Sequence, residues 1–240
     1  MESTLMVHTG ASKLTRAALA EILPPQPTDT FKPISHNELV TSLIESLAFR
    51  QISIIRDEYA VSEDGMKLFG LLELASGFDG ARFALGVRNA NDKSMRLALT
   101  VGYSVFVCDN MAFYGDFTPV LAKHSKHFNL QDALAIGIDR MQRNFEPMQK
   151  QVKDWKGFHL SDAAAKLIIY HAFIEDALDA PKHLARRVND LYFNPTHDAF
   201  NPRTVWSLSN AFTSAFKELD PIPQFKATAK LGEFLTTVRN

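Results

Sequence analysis

The sequence contains a single cysteine, Cys108, among its 240 residues. One cysteine excludes internal disulfide bonds and zinc sites built from several cysteines, and it is typical of proteins in a reducing cytoplasm. The N-terminus shows no basic-then-apolar leader, and no apolar run approaches the roughly 18 residues that a membrane span needs. We therefore expect a cytoplasmic protein without a membrane partner.

The short motifs of several enzyme classes are also missing. Neither G-x-x-x-x-G-K-[ST] nor G-x-G-x-x-G occurs, which argues against nucleotide-driven motor chemistry. No G-x-S-x-G elbow is present, so a serine hydrolase of that type is not supported. The eight histidines are scattered and form no H-E-x-x-H pair. Neither a metal nor a cofactor is therefore predicted.

Positive and negative charges nearly balance, with a formal net charge of -1. Bulk charge gives no attraction to nucleic acid or anionic lipid, so any such affinity needs a local basic surface. A chain of 240 residues with 46% apolar residues can bury the core of one domain. We predict a single domain over 1–240, with a β-rich core at about 51–114 and a helical part at about 118–240.

Helical spacing of apolar residues flanks this core on both sides. Before the core it predicts helices over 11–23 and 36–48, and Ser35 and Glu38 stand at capping-box spacing at the start of the second. After the core, the predicted helices are 118–126, 130–155, 161–178, 181–192, 204–219 and a last one that follows a break at 220–223 and ends at 238.

Within the core the apolar period changes to two, which is typical of strands. Turn chemistry at 63–65 and 76–80 separates consecutive runs, so four strands joined by short loops should form an antiparallel meander. The fold class is therefore α+β. An antiparallel β-meander sheet should pack with an N-terminal helix and a mostly helical C-terminal half.

The last predicted hairpin, within 81–113, has two distinct faces. One parity is apolar throughout and should line the core: Phe83, Leu85, Val87, Met95, Leu97, Leu99, Val101, Tyr103, Val105 and Val107. The other parity would suit either a closely packed helix or a polyanion, and we expect it to face outward, toward solvent or a ligand. It consists of small residues flanked by arginines: Arg82, Ala84, Gly86, Arg88, Arg96, Ala98, Thr100, Gly102 and Ser104.

The cations around this hairpin suggest a nucleic-acid surface. Tyr103 and Phe106 would offer stacking faces if one face of the sheet is open, as single-strand binders require. The alternative is that the arginines form ion pairs at the sheet edge. The candidate DNA-binding residues are Arg82, Arg88, Lys93 and Arg96.

Polar residues gather at the two ends of the same hairpin and form a candidate polar site. Asp92, Asp109 and Asp116 suit a Mg²⁺-dependent enzyme acting on nucleic acid, but Asx-turn capping explains each of them without a metal and is the favoured interpretation. Cys108 is either a nucleophile or a buried structural thiol. The polar site comprises Asn89, Asn91, Asp92, Cys108, Asp109 and Asn110.

A second candidate for anion binding lies on the predicted helix over 118–126. His124 stands beside Lys123, and His127 stands beside Lys126, which places imidazoles and ammonium groups together. A solvated helix end explains the same pattern.

Three stretches give the chain a family resemblance. They are 85–94 (LGVRNANDKS), 102–113 with its Val107-Cys108-Asp109-Asn110 centre, and 204–211 (TVWSLSNA). In these stretches the chain resembles the phage- and plasmid-like family known as domain of unknown function 932. Members usually show Asn-Ser-His-Asp where this chain has Asn-Ala-Asn-Asp at 89–92, so Asn91 stands in place of the family's histidine.

The resemblance implies cargo of a mobile element acting in DNA metabolism, recombination or defence evasion. It supplies no established activity. Three hypotheses follow: a DNA-associated binding protein that grips single strands, in which case it is expected to be oligomeric; a metal-dependent enzyme acting on nucleic acid; and an inhibitory or structural partner of a host protein.

Overall fold

The computed structural model describes residues 11–105, 111–113, 120–175, 177–219 and 221–237, apart from the side chains of 111–113, 221, 222 and 225. The chain divides into two compact units, residues 1–104 with 117–144 and residues 105–116 with 145–240. The α+β class is confirmed. The single-domain organisation stays a prediction.

The first unit contains an antiparallel sheet. Its strands follow the order β1-β2-β3-β4-β5, and β7 pairs with β5. The predicted meander is therefore confirmed, since strands adjacent in the chain are adjacent in the sheet. The strands are β1 (Ala11–Leu14), β2 (Ile54–Ser62), β3 (Lys67–Phe78), β4 (Ala81–Ala90), β5 (Leu97–Val105) and β7 (Val120–Ala122), while β6 (Met111–Phe113) belongs to the second unit.

Two turns join β2, β3 and β4. The first lies where the sequence predicts it, and Gly65 there adopts a φ of 69° that suits glycine. The second prediction was too early, because β3 continues to Phe78 and the turn is at 79–80. The pairing of β3 with β4 is irregular between Glu73 and Gly77, which indicates a bulge. A glycine in a bulge resembles a turn signal, and this explains the error.

Helix α1 (His36–Phe49) confirms the predicted second helix. The Oγ of Ser35 accepts a hydrogen bond from the Glu38 N–H at 2.9 Å, so the N-cap forms as its sequence spacing indicates. Leu39, Leu43 and Leu47 are fully buried along one face. This spacing of four residues is the stripe that sequence periodicity detects.

Two predicted helices are wrong. The segment 11–23 forms β1 and then a 3₁₀ turn at Ala18–Glu21. The segment 120–122 of the predicted 118–126 helix forms β7, and residues 118–119 lie outside the described residues. In both segments pairing with a neighbouring strand, β2 or β5, replaces the local helical preference.

In the predicted two-faced hairpin, the apolar parity is confirmed within β4 and β5, whereas the prediction for the other parity is wrong in part. Met95 is only half-buried, and Val107 lies outside the described residues. Phe83, Leu85 and Val87 are buried in β4. Every residue of β5 is buried, however, including those predicted to face outward: Ala98, Thr100, Gly102 and Ser104. A strand covered on both faces carries no solvent-facing parity, so its small residues reflect close packing.

The second unit consists mainly of helices. The C-terminal part of α2 (Leu130–Gly157), residues 145–157, belongs to it, and α5 (Val205–Ala215) is buried along nearly its whole length. Within the described residues, none of the helices combines the length and the apolar character needed to cross a bilayer. The other helices of the second unit are α3 (Asp162–Phe173), α4 (Leu184–Phe193) and α6 (Pro221–Thr237).

Helix boundaries in this unit differ from the prediction at several ends. Helix α3 ends at Phe173 rather than 178, and α4 begins at Leu184 rather than Pro181. Helix α6 begins at Pro221, inside the predicted break, because proline is well tolerated in the first turn of a helix.

Arg203 closes the loop between α4 and α5. Its guanidinium donates hydrogen bonds to the carbonyl oxygens of Tyr192 at 2.6 Å and Phe193 at 3.1 Å, at the C-terminus of α4. It also lies over both of their rings, about 5 Å from each centroid. The next residue, Thr204, caps α5 by accepting from the Ser207 N–H. One side chain therefore satisfies the end of one helix beside the start of the next.

Gly70 in β3 provides a test of this sheet. Its partners are Tyr59 on β2 and Val87 on β4. A Cβ at Gly70 would lie 2.6 Å from the Val87 Cγ1 and 3.0 Å from the Tyr59 Cδ1. We expect Gly70→Ala to lower the free energy of unfolding by about 1–3 kcal/mol, measured by urea denaturation, because overpacking forces the neighbouring strands to shift.

The matched control is Gly157→Ala at the end of α2. Among the described residues, no atom lies within 4 Å of a Cβ at Gly157. This variant should be neutral or more stable by up to about 1 kcal/mol. Equal stability of Gly70→Ala and the unsubstituted protein would contradict the close strand packing.

Candidate functional site

Two asparagines hold the segment 31–36, here called the strap, at the end of β4. The Ile34 N–H donates to the Asn91 Oδ1 at 3.2 Å, and the Ile34 carbonyl accepts from the Asn89 Nδ2 at 2.8 Å and the Asn91 Nδ2 at 3.0 Å. Both asparagines are at least 96% buried. Buried amides with these bonds fix the strap firmly, because an unmade bond here would leave polar groups without water.

His36 continues this buried polar network. Its Nε2 lies 3.0 Å from the Gly65 carbonyl oxygen, and its Nδ1 lies 3.0 Å from the Asn89 Nδ2. Since the amide is a donor and the carbonyl an acceptor, these contacts fit the neutral ring with its hydrogen on Nε2. Burial lowers the pKa of His36, which agrees with an uncharged ring.

His124 lies beside the strap, just after β7. Its ring stacks on Phe31 with centroids 5.7 Å apart, and its carbonyl oxygen accepts from the Lys32 N–H at 3.2 Å. The side chain is 6% exposed, so the alternative of a solvated helix end is wrong for this histidine. Burial lowers the pKa of His124, and the neighbouring His36 lowers it further.

Exposed cations surround the Phe31–His124 pair. The Nζ of Lys93 lies 4.7 Å from the Phe31 centroid. Leu97 pairs with Ala122, and continuing that register by one residue places Arg96 opposite Lys123. We call the four exposed residues Lys32, Lys93, Arg96 and Lys123 the basic cluster.

The basic cluster lacks the carboxylate partners of an ordinary charged surface. For its four members, the described part of the chain records no ion pair. Arg96 comes just before Leu97 and Lys123 just after Ala122, the last residue pair of β5 and β7, so two like charges lie at the same end of this pairing and an anion between them would reduce their repulsion. The arrangement therefore suits a bound anion.

Arg82 and Arg88 behave differently from Lys93 and Arg96. They lie on one face of β4, six residues or about 20 Å apart, and both are partly exposed. Each has a partner in the structure, and burial lowers the pKa of Arg88. The predicted DNA-binding set is thus split, with Lys93 and Arg96 in the basic cluster and Arg82 farther along the strand.

Asp92 takes part in a turn. Its carboxylate accepts hydrogen bonds from the N–H and Oγ of Ser94, and its Oδ2 lies 3.2 Å from the Lys67 Nζ. Partial burial opposes its ionisation, but these hydrogen bonds outweigh that effect and lower its pKa. Asp92 therefore forms the Asx turn that the sequence analysis gives as the alternative to a metal ligand.

The end of the hairpin that follows β5, residues 106–110, lies outside the described residues. Cys108, Asp109 and Asn110 lie outside the described residues, as do Phe106 and Asp116, and their roles stay predictions. Over the described ranges, no group of three or more His, Cys, Asp or Glu residues is placed to hold a metal ion. Tyr103 is only 2% exposed, so the prediction that it offers a stacking face is wrong.

Sequence reasoning missed Lys32 and His36 as members of this site. The missed signal is the spacing of Asn89 and Asn91, which stand two apart at the end of β4 and whose side chains both reach the backbone of Ile34. Two amides on the buried face of a sheet require backbone partners, and the proline-rich segment before α1 supplies them.

One known protein family matches most of the chain. Residues 27–230 match the family described as Domain of unknown function (DUF932). The chain belongs to this family. No curated protein and no solved structure matches it. The stretch 85–94 that carries the resemblance contains both asparagines of the strap contact and Lys93, whereas 204–211 forms the capped start of the buried helix α5.

The strap contact predicts a large effect for Asn91→Ala. The substitution removes two hydrogen bonds to Ile34 and leaves a buried N–H without its partner. We expect a loss of about 2–4 kcal/mol in the free energy of unfolding, measured in urea. Asn144→Ala is the control, since among the described residues the recorded hydrogen bond of the Asn144 amide is to the Arg140 carbonyl oxygen of its own helix. It should change stability by less than about 0.5 kcal/mol.

The two buried histidines predict a specific pH dependence. Their pKa values are lowered in the folded protein, so as pH falls below about 6.5 the unfolded chain takes up protons first and stability decreases. The full contribution is present above that pH. His124→Phe keeps an aromatic ring for Phe31, and we expect it to lose less stability between about pH 7.5 and pH 5.5 than the unsubstituted protein does.

The measurement is urea denaturation across that pH range. The lowered pKa values of Asp64, Asp92 and Asp139 place carboxylate effects at lower pH, which separates them from the histidines. An identical pH dependence in His124→Phe would show that His124 titrates normally.

Proposed function

We propose that this protein binds single-stranded nucleic acid in the reducing cytoplasm, through phosphate contacts to the basic cluster. The observation that carries the proposal is the group of four exposed cations, for which the described residues record no ion pair and two of which lie at the same end of the β5–β7 pairing. A phosphate between them replaces repulsion by attraction and releases the counterions of the nucleic acid.

The setting of the cluster supports a flexible strand rather than a duplex. Its members lie on the strap, on the β4–β5 loop and at the ends of β5 and β7, whereas most duplex readers insert a helix into the major groove. The ring that carries Lys93, Phe31, is mostly covered, with 8% exposure. Phosphate contacts should therefore dominate over base stacking, and we expect little preference for base sequence.

The alternative of a metal-dependent enzyme has less support. The carboxylate of Asp92 is engaged by Ser94 and Lys67. A carboxylate that already caps a turn and pairs with an ammonium group is a poor metal ligand until those contacts break.

The test is the double variant Lys93→Glu/Arg96→Glu with a fluorescently labelled oligothymidylate over a salt series. Loss of two phosphate contacts should reduce the slope of log K against log salt by about 1.4, since single strands contribute about 0.7 per contact. We also expect affinity at low salt to fall by about 10-fold or more.

The matched control is Lys226→Glu/Lys230→Glu on α6. It makes the same change in net charge at two exposed lysines of the other unit. The control should bind like the unsubstituted protein. If both double variants lose affinity equally, binding depends on net charge alone and the proposed site is wrong.

A further inference from the structure

His124 has an unmet hydrogen-bonding capacity. Its side chain is 6% exposed, and among the described residues neither ring nitrogen has a hydrogen-bond partner. A neutral imidazole always carries one N–H donor and one acceptor nitrogen. Burying both without partners costs free energy, so native structures rarely leave such groups unsatisfied without a reason.

His36 shows that the same region can satisfy a buried histidine. Its two ring nitrogens have partners in the Gly65 carbonyl oxygen and the Asn89 amide. It is also close enough to influence the titration of His124. His124 thus differs from His36 in that neither of its ring nitrogens has a partner among the described residues, whereas at Asn89 the amide nitrogen is satisfied and only Oδ1 is not.

The surroundings of His124 indicate an anion as the missing partner. Its ring stacks on Phe31, and the Phe31 ring carries the ammonium group of Lys93. Lys123 precedes it in the chain, and Lys32 donates its N–H to the His124 carbonyl oxygen. The unmet N–H donor thus lies among members of the basic cluster, where phosphate oxygens would be concentrated.

We propose that His124 is part of the nucleic-acid site and donates a ring N–H to a phosphate oxygen. This inference rests on the proposed function and adds to it a neutral donor that net charge and motif do not reveal. Because both nitrogens are covered, contact requires the groups around the ring to shift. The described residues record no ion pair that holds the side chains of the basic cluster in place.

The test compares His124→Phe with His124→Gln in the full-length protein, again with labelled oligothymidylate. Phenylalanine keeps a ring for Phe31 but removes the donor, so affinity should fall about 10-fold, as for a hydrogen bond to a charged group. The salt slope should stay unchanged, because a neutral donor displaces no counterion. Glutamine keeps an N–H donor and should recover most of the affinity.

Two further measurements complete the design. His183→Phe, at an exposed histidine of the other unit, is the control and should bind normally. In the unsubstituted protein labelled with ¹⁵N, oligothymidylate should shift the ring nitrogen signals of His124 and leave those of His36 in place. This readout does not depend on whether a variant folds.

The outcomes separate the two proposals. Normal affinity of a folded His124→Phe, or unchanged His124 signals at saturation, would overturn the role of His124 while the Lys93→Glu/Arg96→Glu result stands by itself. A reduced salt slope in His124→Phe would also overturn it, since the residue would then act as a cation. Failure of the unsubstituted protein to bind would overturn both.

Discussion

The hydrogen bonds between two asparagine side chains and the backbone of Ile34 form the contact on which the first unit depends. It joins positions more than fifty residues apart in the chain, with three hydrogen bonds that are shielded from water. Ser35 caps α1 immediately afterward, so the same contact determines where that helix begins on the sheet. Local propensity makes the helix, but this long-range contact places it.

The strap also assembles the chemistry of the site. Holding Ile34 places Phe31 against His124 and brings Lys32 beside the β4–β5 loop that carries Lys93. None of these residues is close to the others in sequence, apart from those within the strap itself. The basic cluster is therefore a product of tertiary structure. This explains why the sequence contains no recognisable binding motif, and the net charge near zero gives no sign of the cluster either.

The sequence predicts well those elements that have a repeating apolar pattern or a local capping signal. It predicts poorly those elements whose conformation depends on pairing with a distant strand. Alternation over 81–105 gives the central strands, and the capping-box spacing at Ser35 gives α1, because each is encoded by neighbouring residues. The edge strands β1 and β7 are invisible to that reasoning, since their conformation comes from pairing with β2 and β5. The error at β7 also hid the site, because a helical 118–126 puts His124 in solvent rather than beside Phe31.

The contacts of Arg203 make the loop between α4 and α5 tolerant of insertions, whether natural or engineered. The side chain, rather than the loop's own backbone, ties the two helix ends together. When the ends are pinned in this way, doubling the loop length costs only about 0.6 kcal/mol of closure entropy. The exposed stretch around 194–196 is therefore a suitable position for inserting a tag or a reporter domain without disturbing either helix.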